Sequence, residues 1–104
     1  DRSVSRGLGD VYKRQRQHYG QVPILCVYSC TIPAPVYDYF EAVLTEMNDK
    51  DIHLLKITED LFNAETDYGA VWHPNYSGQR KMAMEIIPMV STLTGWKLSG
   101  KAVE

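Results

Sequence analysis

Gln21 to Ile57 reads QVPILCVYSCTIPAPVYDYFEAVLTEMNDKDIHLLKI, two apolar runs on either side of an amphipathic one. Gln21–Ser29 is short, rich in branched and aromatic residues, and lacks a helical period. It predicts a strand buried on both faces, the kind a parallel sheet uses. The TIPAP stretch that follows punctuates the chain, and Pro35 suits the first turn of a helix, where its missing N–H costs nothing. From there Val36, Phe40, Val43, Leu44 and Met47 fall at helical spacing, with Asp38, Glu41, Thr45 and Glu46 on the other face. Asn48 to Asp51 ends the helix, and Ile52–Ile57 is a second buried strand. The order strand–helix–strand indicates a βαβ unit, and so an α/β class with parallel strands covered by helices. Two such strands alone would leave two unpaired edges and apolar faces open to water. The sequence therefore predicts that further strands belong to the same sheet.

Beyond the second strand, a loop from Thr58 to Asn75 leads into a long amphipathic segment. Trp72-His73-Pro74-Asn75 stands at the junction. Pro74 fixes its own φ and pushes His73 out of the α region, so the imidazole is expected on an extended corner. That corner follows the C-terminal end of a strand, where the active sites of open α/β sheets gather. Asn75 or Ser77 is expected to cap the terminal helix, with Met82, Ala83, Ile86, Val90 and Leu93 as its buried stripe. Pro88 removes one backbone hydrogen bond, Gly95 ends the helix, and Trp96 is expected to fold back as an apolar anchor. Residues 99–104 read as a tail.

The 104 residues, 44% hydrophobic and 23% charged, have the composition of a small globular unit. A net charge of -2 makes no electrostatic case for nucleic acid or an anionic membrane as partner. No apolar run approaches the roughly 20 residues that a membrane span needs, and no signal-peptide core stands near residue 1. Cys26 and Cys30, four residues apart on one strand, would lie about 13 Å apart, beyond the ~7 Å that a disulfide allows. They read as buried thiols, and a zinc site with His18 and His53 has no support from spacing.

Residues 1–15, DRSVSRGLGDVYKRQ, mix Gly, Ser and Arg, lack hydrophobic periodicity and are locally basic. The SRGLGDVYKRQ portion resembles a stretch found on many unrelated metagenome-derived reading frames, in the manner of a translated adaptor. The alternative is a genuine disordered or basic arm. On either reading the folded part is expected to occupy 16–98.

The segment YGAVWHPNYSGQRKMAMEIIP…TGW, Tyr68 to Trp96, resembles the C-terminal block of SGNH-type (GDSL-like) esterases, and is most similar to the carbohydrate esterase family 2 branch. The motif pieces are the WHPN corner, KMA at 81–83 and the final TGW. The resemblance implies the C-terminal part of a flavodoxin-like three-layer fold and a serine esterase that removes acetyl groups from carbohydrates. It implies no metal or organic cofactor, and export from the cell. By position His73 would be the base that takes the proton from a serine hydroxyl and returns it to the leaving alcohol. Trp72 would stand beside the cleft as a stacking face for a sugar ring, or serve as ordinary core packing. Tyr76 acquires no role.

Two positions depart from the family pattern. Val71 and Ala70 stand where an acid usually precedes the histidine, so no carboxylate there orients the imidazole. A backbone carbonyl could accept the Nδ1 hydrogen instead, giving a Ser-His dyad; Asp67 is the nearest acid upstream, with no spacing that brings it to the ring. Gln79 replaces a frequent histidine at a position expected to concern packing or surface. The blocks that carry the nucleophile and oxyanion donors have no counterpart: Gly9-Asp10-Val11 lacks a serine, and Ser29 has no nucleophile elbow around it. The expectation is a histidine-bearing fragment that is inactive without the N-terminal half of its domain. The alternatives are a degenerate, non-catalytic carbohydrate-binding module, favoured by Val71, and a flavodoxin-like interaction domain. The latter predicts Trp72 and His73 buried against the core.

Overall fold

The computed structural model describes residues 2–29 and 31–99, the side chains of 2–6 and 8 excepted. It is a mixed helix–strand structure with two parallel strands, of the α/β class. In chain order the elements are α1 (Arg2–Tyr19), β1 (Ile24–Tyr28), α2 (Ala34–Met47), β2 (Ile52–Lys56) and α3 (Tyr76–Thr94). They fall into two compact units, one comprising residues up to 28 plus 32–54, the other residues 29–31 plus 55 onward.

In the first unit β1 pairs with β2, and the chain entering β1 is tied by Ile24 N–H to the Asp51 carbonyl at 2.7 Å. Pro33, at φ -56° and ψ 141°, turns the chain into α2, and Pro35 sits in the first turn as its geometry favours. The helix ends where Asn48 takes the left-handed conformation (φ 49°), which asparagine tolerates well. Tyr12, Cys26 and Val43 form the buried centre, with Ile24, Phe40, Leu44, Met47, Ile52 and Leu54 packed against it. Tyr28 is also buried. Its ring meets Tyr37 and Phe40 edge-on at 5.0 and 6.4 Å, and its hydroxyl lies 2.7 and 2.9 Å from the carbonyls of Ile32 and Pro33. The expected apolar stripe of α2 therefore faces the core. The two strands are only half-buried at most positions, which corrects the expectation of burial on both faces.

The described residues up to 15, read from the sequence as outside the folded part, are helical here. Arg2–Tyr19 is one helix, and it packs on α2. Tyr12 on this helix is 7% exposed and its phenol oxygen accepts the Cys26 thiol at 2.8 Å. Arg16 grips Asp49 in a two-pronged ion pair at 2.6 and 2.9 Å, and also donates to the carbonyls of Gly20 and Val22. Gly9 has no side chain to hold the helices apart, and a Cβ there would meet only the Val43 methyl at 4.0 Å.

In the second unit Ile57 is buried at 2% exposure directly after β2. The loop to Asn75 precedes α3, whose cap is Asn75: its side-chain oxygen accepts the Gly78 N–H at 3.1 Å. The helix runs on through Pro88 and stops at Gly95, left-handed at φ 76°. Met82, Ala83, Ile86, Val90 and Leu93 are half-buried. Trp96 does not fold back: its ring is 70% exposed, while its carbonyl accepts from Ser91 Oγ and its N–H donates to Thr94 Oγ1. Of the expected tail, residues 100–104 lie outside the described residues. No described helix is long and apolar enough to cross a membrane.

Candidate active-site corner

The loop before α3 closes on itself. Asn75 N–H donates to the Asp67 carbonyl at 2.8 Å, Tyr68 and Pro74 form an antiparallel bridge, and Gly69 N–H donates to the His73 carbonyl at 2.7 Å. At the tip His73 N–H reaches Ala70 O at 3.2 Å, across Val71 (φ 55°, ψ 38°) and Trp72 (φ 56°). Two successive residues at positive φ are what a type I′ turn requires, and glycine or asparagine normally supply them. A β-branched valine there is strained, at a cost of order 1–3 kcal/mol. Such strain persists only where the surroundings over-determine it, and it clusters at functional sites.

His73 itself is unstrained. Its backbone is extended, φ -80° and ψ 141°, as the following proline dictates. Its Nδ1 lies 3.2 Å from the Ala70 carbonyl. A carbonyl only accepts, so a hydrogen bond here puts the proton on Nδ1 and leaves Nε2 as the acceptor nitrogen of the neutral ring. A backbone carbonyl, and no carboxylate, is thus the group beside Nδ1. The imidazole is exposed.

His73 lines a cleft of about 660 Å³ together with Trp72, Tyr68, Phe62, Thr31, Glu59, Val71 and Ala64. Phe62, Tyr68 and Trp72 form a ladder of rings, 5.5 Å and then 5.6 Å between centroids, the second pair edge to face. Trp72 is 70% exposed. The arrangement sets one basic nitrogen beside a row of aromatic faces. Phe62, Tyr68, Glu59 and Thr31 were missed as cleft residues from the sequence. The aromatic spacing at 62, 68 and 72 was its only trace, and it has no single period.

Asp67 is fully buried, and its carboxylate is spent elsewhere than on the imidazole. Oδ2 accepts from Lys81 Nζ at 2.5 Å and from Asn63 N–H at 2.6 Å; Oδ1 accepts from Ser77 Oγ at 2.7 Å and from Thr66 Oγ1 at 3.3 Å. The Lys81 ammonium foremost, then the Asn63 amide and the Ser77 hydroxyl, holds this carboxyl well below the usual carboxylate range. Gly78 packs against the same point. A Cβ there would stand 2.5 Å from the Asp67 carbonyl and 2.8 Å from Pro74 Cβ, so glycine alone fits. Gln79 is a surface residue whose side chain lies 3.4 Å from the Pro74 carbonyl. Tyr76 is exposed, with the Arg80 guanidinium 6.0 Å over its ring.

The hydrogen bonds at Ser29 Oγ come from Thr31, from its N–H and its hydroxyl at 3.3 and 3.2 Å. Cys26 is a buried free thiol and Cys30 lies outside the described residues. His53 Nε2 is buried, 3.9 Å from Asp51 Oδ1. Among the described residues no group of three or more His, Cys, Asp or Glu side chains is placed to hold a metal ion. Comparisons with protein-family models, with curated proteins and with solved structures returned no match.

Proposed function

We propose that this chain is the histidine-bearing C-terminal part of an SGNH-type, flavodoxin-like serine esterase that deacetylates carbohydrates, with no cofactor or metal in the reaction. The observation that carries the reading is His73: exposed on a cleft, locked in extended geometry by Pro74, with Nδ1 on a backbone carbonyl. In the reaction Nε2 takes the proton of a serine hydroxyl as it attacks the acetyl carbon, then returns it to the departing sugar oxygen. The Ala70 carbonyl fixes the tautomer and steadies the imidazolium in the place of a carboxylate, and Trp72 offers the sugar ring a face. The nucleophile comes from a serine-bearing segment that is not among these residues.

The purified chain is expected to show no turnover of an aryl acetate. Supplied with a serine-bearing SGNH N-terminal segment, it gains turnover that His73→Ala abolishes. Turnover by the chain alone, lost in His73→Ala, would overturn the fragment reading; a complemented chain that stays inert would overturn the esterase reading.

Val71 favours a second reading, a carbohydrate-binding module that has lost catalysis. It holds the position where an acid is expected and its side chain is 83% exposed at the turn tip. That module would bind acetylated xylo-oligosaccharide with quenching of tryptophan fluorescence, abolished in Trp72→Ala, and complementation would never yield turnover. A plain interaction domain with Trp72 and His73 in its core is disfavoured, since both side chains are exposed.

A further inference from the structure

We propose that Asp67 is the positioning residue of the His73 corner: clamped by Lys81, Ser77 and the Asn63 amide, it fixes the base of the loop and so keeps Nδ1 on the Ala70 carbonyl. The proposal rests on the reading of His73 as the functional base.

Three observations carry it. Asp67 is the one fully buried large side chain among the described residues, and it is a charge. Its cation, Lys81, is partly exposed, so only the carboxylate bears the full cost of burial, and an apolar residue of similar size is often as stable a choice at such a position. What a fully satisfied polar network supplies is a single geometry. Next, Asp67 acts from both of its ends. Its carbonyl accepts Asn75 N–H on the returning arm of the loop, while its carboxylate reaches back to Asn63 and forward to Ser77 and Lys81 on α3. Asn75 Nδ2 adds bonds to the Thr66 and Tyr68 carbonyls at 2.8 and 3.4 Å. His73 thus sits on a closed loop whose two feet meet at one residue. Finally, the tip of that loop is strained at Val71, and a strained tip stays in place only if its feet do not move. Releasing Asp67 lets Val71 relax toward negative φ, which carries the Ala70 carbonyl away from Nδ1.

The test uses the isotope-labelled chain with Asp67→Asn, and separately Lys81→Met, which keeps the carboxylate but removes its cation. Nitrogen-15 spectra of the imidazole read the tautomer, and amide exchange reads local opening. In the unmodified chain His73 is expected as one tautomer, protonated at Nδ1. In both variants it becomes a mixture, and the Gly69, His73 and Asn75 amides exchange on the order of a hundredfold faster, while the α2 amides do not change. Lys81→Arg restores the single tautomer. If Asp67→Asn does not fold, Lys81→Met decides the matter alone. An unchanged tautomer in a folded variant overturns the proposal, and so does an acceleration spread equally over the whole chain, which would mark a role in overall stability only. Neither readout involves an ester. A failure here therefore leaves the esterase reading standing, and an inert complemented chain leaves the role of Asp67 standing.

Discussion

The two compact units are held by opposite means. The first closes around Tyr12, Cys26 and Val43, an apolar centre with one thiol–phenol hydrogen bond inside it. The second, which carries the candidate site, closes around a carboxylate. Apolar burial is non-directional and roughly proportional to area, so it tolerates small shifts. A charge with four hydrogen-bond partners does not, because each partner has one position. The difference fits the proposed role of the second unit: a core need only exclude water, whereas a histidine proposed as a base must point one way.

The sharpest way to separate the two is pH. The Asp67 carboxyl is depressed in the fold, so its contribution is full above the ordinary carboxylate pKa of about 4 and is lost as pH falls below that value. Tyr12 and Cys26 are shifted the other way, both foremost by burial, which disfavours the ionised forms. Their contribution is full below the ordinary thiol and phenol values and is lost as pH rises past about 9 to 10. Acid should therefore abolish protection of the 67–75 amides first, and alkali the protection of β1 and α2 first. Asp49, depressed foremost by Arg16, gives the first unit a smaller acid response of its own, because that pair is partly exposed. Amide exchange across pH 2 to 11 checks the order of loss, about 2 and 11 being chosen to bracket those pKa values.

A smaller effect is expected from Gly78→Ala. The added methyl must push against the Asp67 backbone and Pro74, and we expect a loss of about 3 kcal/mol, read by urea denaturation, with the corner amides opening first. The smallest change has the opposite sign. Val71→Asn places a residue that tolerates positive φ at the strained tip, and should stabilise by about 1 kcal/mol while leaving the His73 tautomer unchanged. A destabilised Val71→Asn would mean that the valine methyls, and not the backbone, decide this turn.

What was legible in the sequence was local. The strand–helix–strand order of residues 24–56 followed from apolar spacing, the helix start at 34–35 from proline, and the extended backbone of His73 from Pro74. What was not legible is held by distant partners. Residues 2–15 carry glycines at 7 and 9, but Val4, Leu8, Val11 and Tyr12 fall at helical spacing, a period the sequence reading passed over; the helix is further tied by Tyr12 to Cys26 and Arg16 to Asp49, the latter 33 residues away. Asp67 looked like an unused acid because its partners lie 10 and 14 positions on, across a turn, where no helical or strand period connects them. Val71 at positive φ contradicts its own propensity, so no residue-by-residue rule would place it there. Trp96 was expected inward on hydrophobicity alone, but the hydrogen bonds of its backbone to Ser91 and Thr94 are what is seen, with the ring outward.

Gly78, wedged between the Asp67 carbonyl and Pro74, has a consequence for how kinship with this chain is to be sought. Asp67, Pro74, Gly78 and Lys81 meet at one point, Gly78 against the Asp67 carbonyl and Pro74, and Lys81 on the Asp67 carboxylate. Their spacing, D-x6-P-x3-G-x2-K, is the pattern to seek for this corner, whereas position 71 faces solvent and is constrained by its backbone alone. A chain with this spacing is expected to build the same corner, with or without an acid beside its histidine.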